Sequence, residues 1–215
     1  MESVFQKLKS KQQELAQHPF FRKLDNGPAD GNELSFVPYL TFWVMSFQDV
    51  LRLNDAKVTD PFLKRLSKHH KSEDSGHDRW FLSDLKLIGT DGVPDTAELF
   101  GRSHQSTRDA TYSLMSEVFL AQSDLERIVL LLALEHSGHI FFESTAAYIE
   151  RAGVGHLLKY FSRYHIDIEK KHEMFEDQLL AQLRQLEVSS ETLDRSLSLV
   201  DRCFQAFSSL FDGLV

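Results

Sequence analysis

Apolar residues recur along most of the chain at the three- and four-residue spacing of helices with one buried face. Residues 2–17 predict an amphipathic helix with Val4, Phe5, Leu8 and Leu15 on its apolar side. HPFFRKLDNG then predicts a short helical turn ending at Asn26-Gly27, and PADGNE a loop. From about Glu33 to Leu53 the chain is strongly apolar. This stretch is too long for a strand and too polar at Ser46, Gln48 and Asp49 for a membrane, so it predicts a buried helix with Pro38 in its first turns. Asp60-Pro61 reads as an N-cap followed by Pro at the first helical position, opening a helix to about Ile88 that GTDGVPD stops. Another helix covers roughly 103–121. Ser123-Asp124 opens a long one that Gly153 closes, residues 154–186 form the next, and Ser189 and Ser190 cap a last helix reaching about Leu210. No alternating run argues for a sheet. The pattern predicts an all-α chain of seven or eight helices in a single domain spanning 1–215, long enough to bundle around a central cavity.

Composition supports this picture. The chain has 10 Gly and 5 Pro among 215 residues, few breakers for a protein of this size, and 17 Phe supply bulky core material. A net charge of −8 argues against non-specific nucleic-acid binding. No apolar run is long enough for a membrane span, and the charged N-terminus lacks the apolar stretch of a secretory signal. The single cysteine, Cys203, excludes an internal disulfide framework and a thiolate zinc site and points to a reducing cytoplasm. The apolar stripe Leu193, Leu197, Val200, Phe204 and Phe207 of the last helix is expected to close the bundle, a homodimer contact being its alternative use.

The ten histidines are the unusual quantity, and most fall in three windows. In HHKSEDSGHDRW, His70, Glu73 and His77 stand at i, i+3 and i+7, one face of a continuous helix. In LEHSGHIFFE, Glu135 and His139 share a face, with His136 turned about 100° away. Apolar Leu131, Leu132, Leu134, Phe141 and Phe142 around Glu135 predict that it is buried, and a buried carboxylate needs a partner or a metal. In HIDIEKKHEMFE, His165, Glu169 and His172 stand at i, i+4 and i+7, with Glu176 extending the stripe. A bundle can direct Glu and Glu-x-x-His ligands from separate helices into one cavity. Neutral imidazole and carboxylate suit iron, manganese or zinc. The bland alternative is a set of solvated or core histidines with no metal.

The order of these windows resembles the haem-oxygenase-like di-iron oxidases, relatives of the TenA/PqqC proteins. The residues carrying the likeness are His77, Glu135 and the run His165-x3-Glu169-x2-His172, with HPFFRKLDNG and FWVMSFQD resembling earlier segments of that family. The resemblance implies a haem-oxygenase-like multi-helix bundle. It also implies a pair of Fe(II) ions (manganese or a single metal being variants), dioxygen as co-substrate, and a small-molecule substrate in the cavity. It places a substrate-binding role on Asp49, whose bland role is pairing with Arg52. The chain departs from the family where a Glu is usual seven residues before His77: His70 stands there, and Glu73 is the nearby carboxylate. A cysteine-nucleophile hydrolase fits less well, because Cys203 lies on the last helix. Haem fits less well still, since His18 precedes a turn and reads as a helix-end residue. A metal-independent TenA/PqqC-like enzyme and a plain metabolite-binding domain remain the alternatives. Phe42, Trp43 and Phe47 are candidates for the cavity wall or for ordinary core.

Overall fold

The computed structural model describes residues 1–28, 32–88 and 93–214, with the side chains of 32–33 and 169–178 outside the description. Every regular element among the described residues is helical. They are α1 (Glu2–Leu15), α2 (Pro19–Asn26), a 3-10 segment (Asn32–Leu40), α3 (Thr41–Lys57), α4 (Pro61–Glu73), α5 (His77–Leu87), α6 (Thr96–Leu99), a 3-10 turn (Arg102–His104), α7 (Gln105–Leu120), α8 (Asp124–Arg151), a 3-10 turn (Gly155–Leu157), α9 (Arg163–Arg184) and α10 (Ser190–Asp212). No helix among the described residues is long and apolar enough to cross a membrane.

The starts follow from capping chemistry. Asp60 accepts from the backbone N–H groups of Phe62 and Leu63 at 2.9 Å each, with Pro61 behind it in the position that needs no N–H. Ser123, Ser162 and Ser189 do the same for α8, α9 and α10. His18 caps α2 through Nδ1, which accepts from Phe20 N–H at 3.2 Å, and its Nε2 lies 3.2 Å from Asp212.

Helix α8 is the axis of the molecule. Its residues from Leu125 to Leu134 are nearly all buried, and α1, α2, α4, α9 and α10 pack around it. Helix α10 closes the bundle over α1, α7 and α8 with Val200, Cys203, Phe204, Phe207 and Phe211 inward. Paired charges fix its rotation. Arg202 grips the buried Glu117 with two bonds of 2.6 and 2.7 Å, and Arg195 reaches the buried Glu126 at 2.9 Å.

The structure corrects the expected helices at three places, each for a backbone reason. The apolar stretch 33–53 is not one helix: a 3-10 segment carries Pro38, and the α-helix begins only at Thr41. A proline ring there removes one N–H and opposes the preceding α-helical turn. The helix expected over 61–88 breaks at Asp74–Gly76, because Gly76 adopts φ +92°, a left-handed conformation that side-chain-bearing residues rarely hold. His70 and His77 therefore sit on different helices, α4 and α5, rather than on one face of one helix. Residues 154–162 form a 3-10 turn followed by a bend and a further turn, and α9 starts at Arg163.

Three carboxylates that join these elements set an acid limit on stability. Burial pushes Glu126 up, but the Gln122 N–H, Arg195 and Ser123 outweigh it and hold the carboxyl below its ordinary range. Asp55 is lowered against its burial by Lys71 and Lys64, and Asp124 by the N–H groups of Asp60 and Thr59. A carboxyl lowered in the folded state contributes stability that is complete above its unfolded pKa and lost as pH falls through the folded value. The urea midpoint is therefore expected to be higher at pH about 5 than below about 4.3, where these carboxyls become protonated. An unchanged midpoint between those conditions and pH about 3 would contradict these assignments.

Candidate active-site cavity

The helices enclose a cavity of about 350 Å³ walled by α3, α4, α5, α8 and α10, with Gln12 of α1 on one side. Its lining is largely aromatic and aliphatic, and the polar groups gather on the α4–α5 and α8 walls.

The break at Gly76 builds the polar wall. It ends α4 beside His70 and starts α5 at His77, leaving Asp74 in the connection between them. Asp74 Oδ2 lies 3.2 Å from His70 Nε2, and Oδ1 lies 3.4 Å from His77 Nδ1. Gln48 of α3 fixes the connection by donating to the Asp74 carbonyl at 2.7 Å. Burial pushes the Asp74 carboxyl up, but His70, His77 and His165 around it outweigh burial and hold it below the usual carboxylate range. It is therefore ionised at neutral pH. Asp74 is absent from the sequence-based candidates, although it stands four residues after His70 and three before His77, spacings that fit it as well as Glu73.

His165 lies one layer behind this wall, fully buried in the first turn of α9. Its Nδ1 is 2.8 Å from the Tyr160 carbonyl, which can only accept, so Nδ1 carries a proton. Its Nε2 is 3.2 Å from His77 Nδ1. The His77 ring stacks on Trp80 with centroids 4.5 Å apart, and Phe142 packs on His165 at 4.0 Å. Both imidazoles are thus held by aromatic neighbours.

The remaining candidates fall into distinct places. Glu73 lines the cavity but pairs with His69 at 3.0 Å. Glu135 and His139 line it from α8, and Glu135 is exposed to this open space, not buried as its apolar neighbours suggested. His136 donates from Nδ1 to the Leu132 carbonyl at 2.8 Å, and burial lowers its pKa, so it is neutral. Asp49 does not reach the cavity: it is exposed and takes two bonds from Arg52, at 2.9 and 3.2 Å. Trp43 and Phe47 line the cavity, whereas Phe42 packs outside it on Phe100 and Tyr112. Glu169, His172 and Glu176 belong to α9, and their side chains lie outside the described residues. Among the described residues no three His, Cys, Asp or Glu side chains form a ready-made metal group. Cys203 is fully buried, burial pushes its thiol up, and it does not line the cavity, so it is no nucleophile there.

No protein-family model matches the chain. No curated protein matches it either. Among solved structures it is similar to a domain of unknown function with a haem-oxygenase-like fold from Shewanella denitrificans OS217. That match has a TM-score of 0.61 and 13% identity, and covers 99% of this chain and 90% of the other. At that identity the likeness speaks for architecture alone: the chain is an all-α bundle with the haem-oxygenase-like fold.

Proposed function

We propose that this protein is an oxygen-dependent oxidase or oxygenase that uses non-haem iron and acts on a small molecule held in the cavity. The observation that carries this reading is the convergence of Asp74 with His70, His77 and His165. Nitrogen and oxygen donors without thiolate suit iron or manganese. The separations of 3.2 Å between His165 and His77 and 3.4 Å between His77 and Asp74 match neighbouring ligands of one ion. With metal–nitrogen bonds of about 2.1 Å, such atoms lie about 3.0–3.4 Å apart. The hydrogen bond from His165 Nδ1 to a backbone carbonyl is the outer-shell contact that fixes a ligating tautomer. The reading draws its further ligands from Glu169 and His172 on α9 and from Glu73 and Glu135 on the cavity wall.

When bound, iron would supply dioxygen activation at this wall. The chain's own residues do the rest. Ionised Asp74 offsets cationic charge, and Gln48 keeps it in register. The aromatic walls bind the substrate by burying its apolar surface and exclude water from the polar corner.

Anaerobic loading with Fe(II), removal of the excess and a count of iron per chain test the reading, followed by oxygen uptake. Retained iron, near a pair per chain or one for a single-ion site, and oxygen consumption on mixing are the expected results. No retained iron at excess Fe(II), with or without oxygen, overturns the reading.

A further inference from the structure

We propose that the cavity selects a cationic amine joined to an apolar body, with Asp78 as the anionic anchor and the Trp43, Phe47 and Phe207 rings as the wall that receives the cation. This deepens the reading of the cavity as a substrate site and rests on it, but not on the metal.

The charge on the wall points one way. Among the described lining residues there is no Lys or Arg, whereas four carboxylates line the cavity. Three of them are engaged, Glu73 by His69, Asp74 by His70 and His77, and Glu135 by a contact of its own. Asp78 differs. It stands in the first turn of α5, faces the same space, and makes no hydrogen bond or ion pair with any described residue. With no partner among the described residues, this half-buried carboxylate is open to pairing with a cation that enters the cavity.

The aromatic wall is independent of that charge. Trp43 and Phe47, one turn apart on α3, meet with centroids 5.3 Å apart at 60°. Phe207 of α10 meets Trp43 at 5.7 Å and 87°. All three rings line the cavity, and aromatic walls attract alkylated ammonium groups through their ring quadrupoles. The aliphatic lining, including Leu40, Val44 and Leu210, accepts the apolar remainder. A carboxylate of the same shape meets like charge in a low-dielectric space and is rejected.

Hexyltrimethylammonium, hexanol and hexanoate share a chain and differ in charge. The quaternary nitrogen has no lone pair, so its binding cannot be metal ligation. Calorimetric titration of the purified protein is expected to rank them ammonium first, hexanol second and hexanoate last. Asp78→Asn is expected to weaken the ammonium about tenfold while leaving hexanol unchanged, and Trp43→Leu to weaken it similarly while Trp43→Phe keeps most of the affinity. Hexanoate binding as tightly as the ammonium, no saturable binding of any probe, or an Asp78→Asn variant with unaltered preference each overturns the inference. Iron is counted on the same preparation. Retained iron without the ammonium preference refutes this inference alone, and the preference without iron refutes the iron reading alone.

Discussion

Replacing His165 by alanine is expected to lower iron affinity by at least about 100-fold. The side chain is fully buried, and its two nitrogens tie the Tyr160 carbonyl to His77. Its loss frees the imidazole of His77 from one side and removes the nitrogen nearest to it. Truncation also opens a void among Trp80, Phe142 and Tyr160, which costs about 2–4 kcal/mol of stability. Chelator competition under anaerobic conditions reads the first effect and urea denaturation the second. His165→Gln, which restores much of the volume without an imidazole, separates them: it should recover stability but not iron. Undiminished iron affinity in a folded His165→Ala protein would remove this residue from the site.

Asp84→Ala is expected to be the most damaging single change to stability, at about 3–5 kcal/mol. Asp84 is fully buried on α5 and accepts from the backbone N–H groups of Lys159 at 2.9 Å, Tyr160 at 2.7 Å and Phe161 at 3.2 Å. Alanine strands three N–H donors in an apolar surround, each costing about 1–3 kcal/mol unless the segment opens to water. If it opens, the Tyr160 carbonyl leaves His165, so iron affinity should fall with stability although Asp84 lies outside the cavity. Asn at this position keeps one acceptor and sets an amide donor against the remaining N–H groups, so it should fall between. A loss below about 1 kcal/mol in urea denaturation would show that the carboxylate is not the acceptor that holds 159–161.

These two residues mark what the sequence could and could not tell. Helix class, the caps at Asp60, Ser123 and Ser189, and the inward stripe of the last helix were legible because they depend on residues within one or two turns. His77 and His165 stood out by type and spacing and do come together, 3.2 Å apart. The breaks at Pro38 and Gly76 were visible as residues, but the balance between a kinked helix and a split one depends on the packing on either side. Splitting at Gly76 moved Asp74 from a position beside the stripe into the corner between two helices. Asp84 gave no signal, since its partners are more than 70 residues away and are backbone groups that any sequence would offer. Glu135 shows the converse. Its neighbours along the chain are buried, yet it faces a space inside the bundle, and apolar neighbours in sequence do not distinguish a filled interior from a hollow one.

The placement of α10 has a consequence for how the chain is made. Helix α1 packs chiefly on α10 and α8, and α7 also leans on α10, so both must wait for a segment synthesised well after them. During translation Leu8 of α1 and Leu114 of α7, both fully buried in the finished molecule, have no α10 to cover them. Their apolar faces are then open to water or to neighbouring nascent chains. The helices can form early from local signals, but the cooperative core closes only once α10 has left the ribosome. The yield of native protein is therefore expected to rise when holdase chaperones cover the apolar faces during that waiting interval.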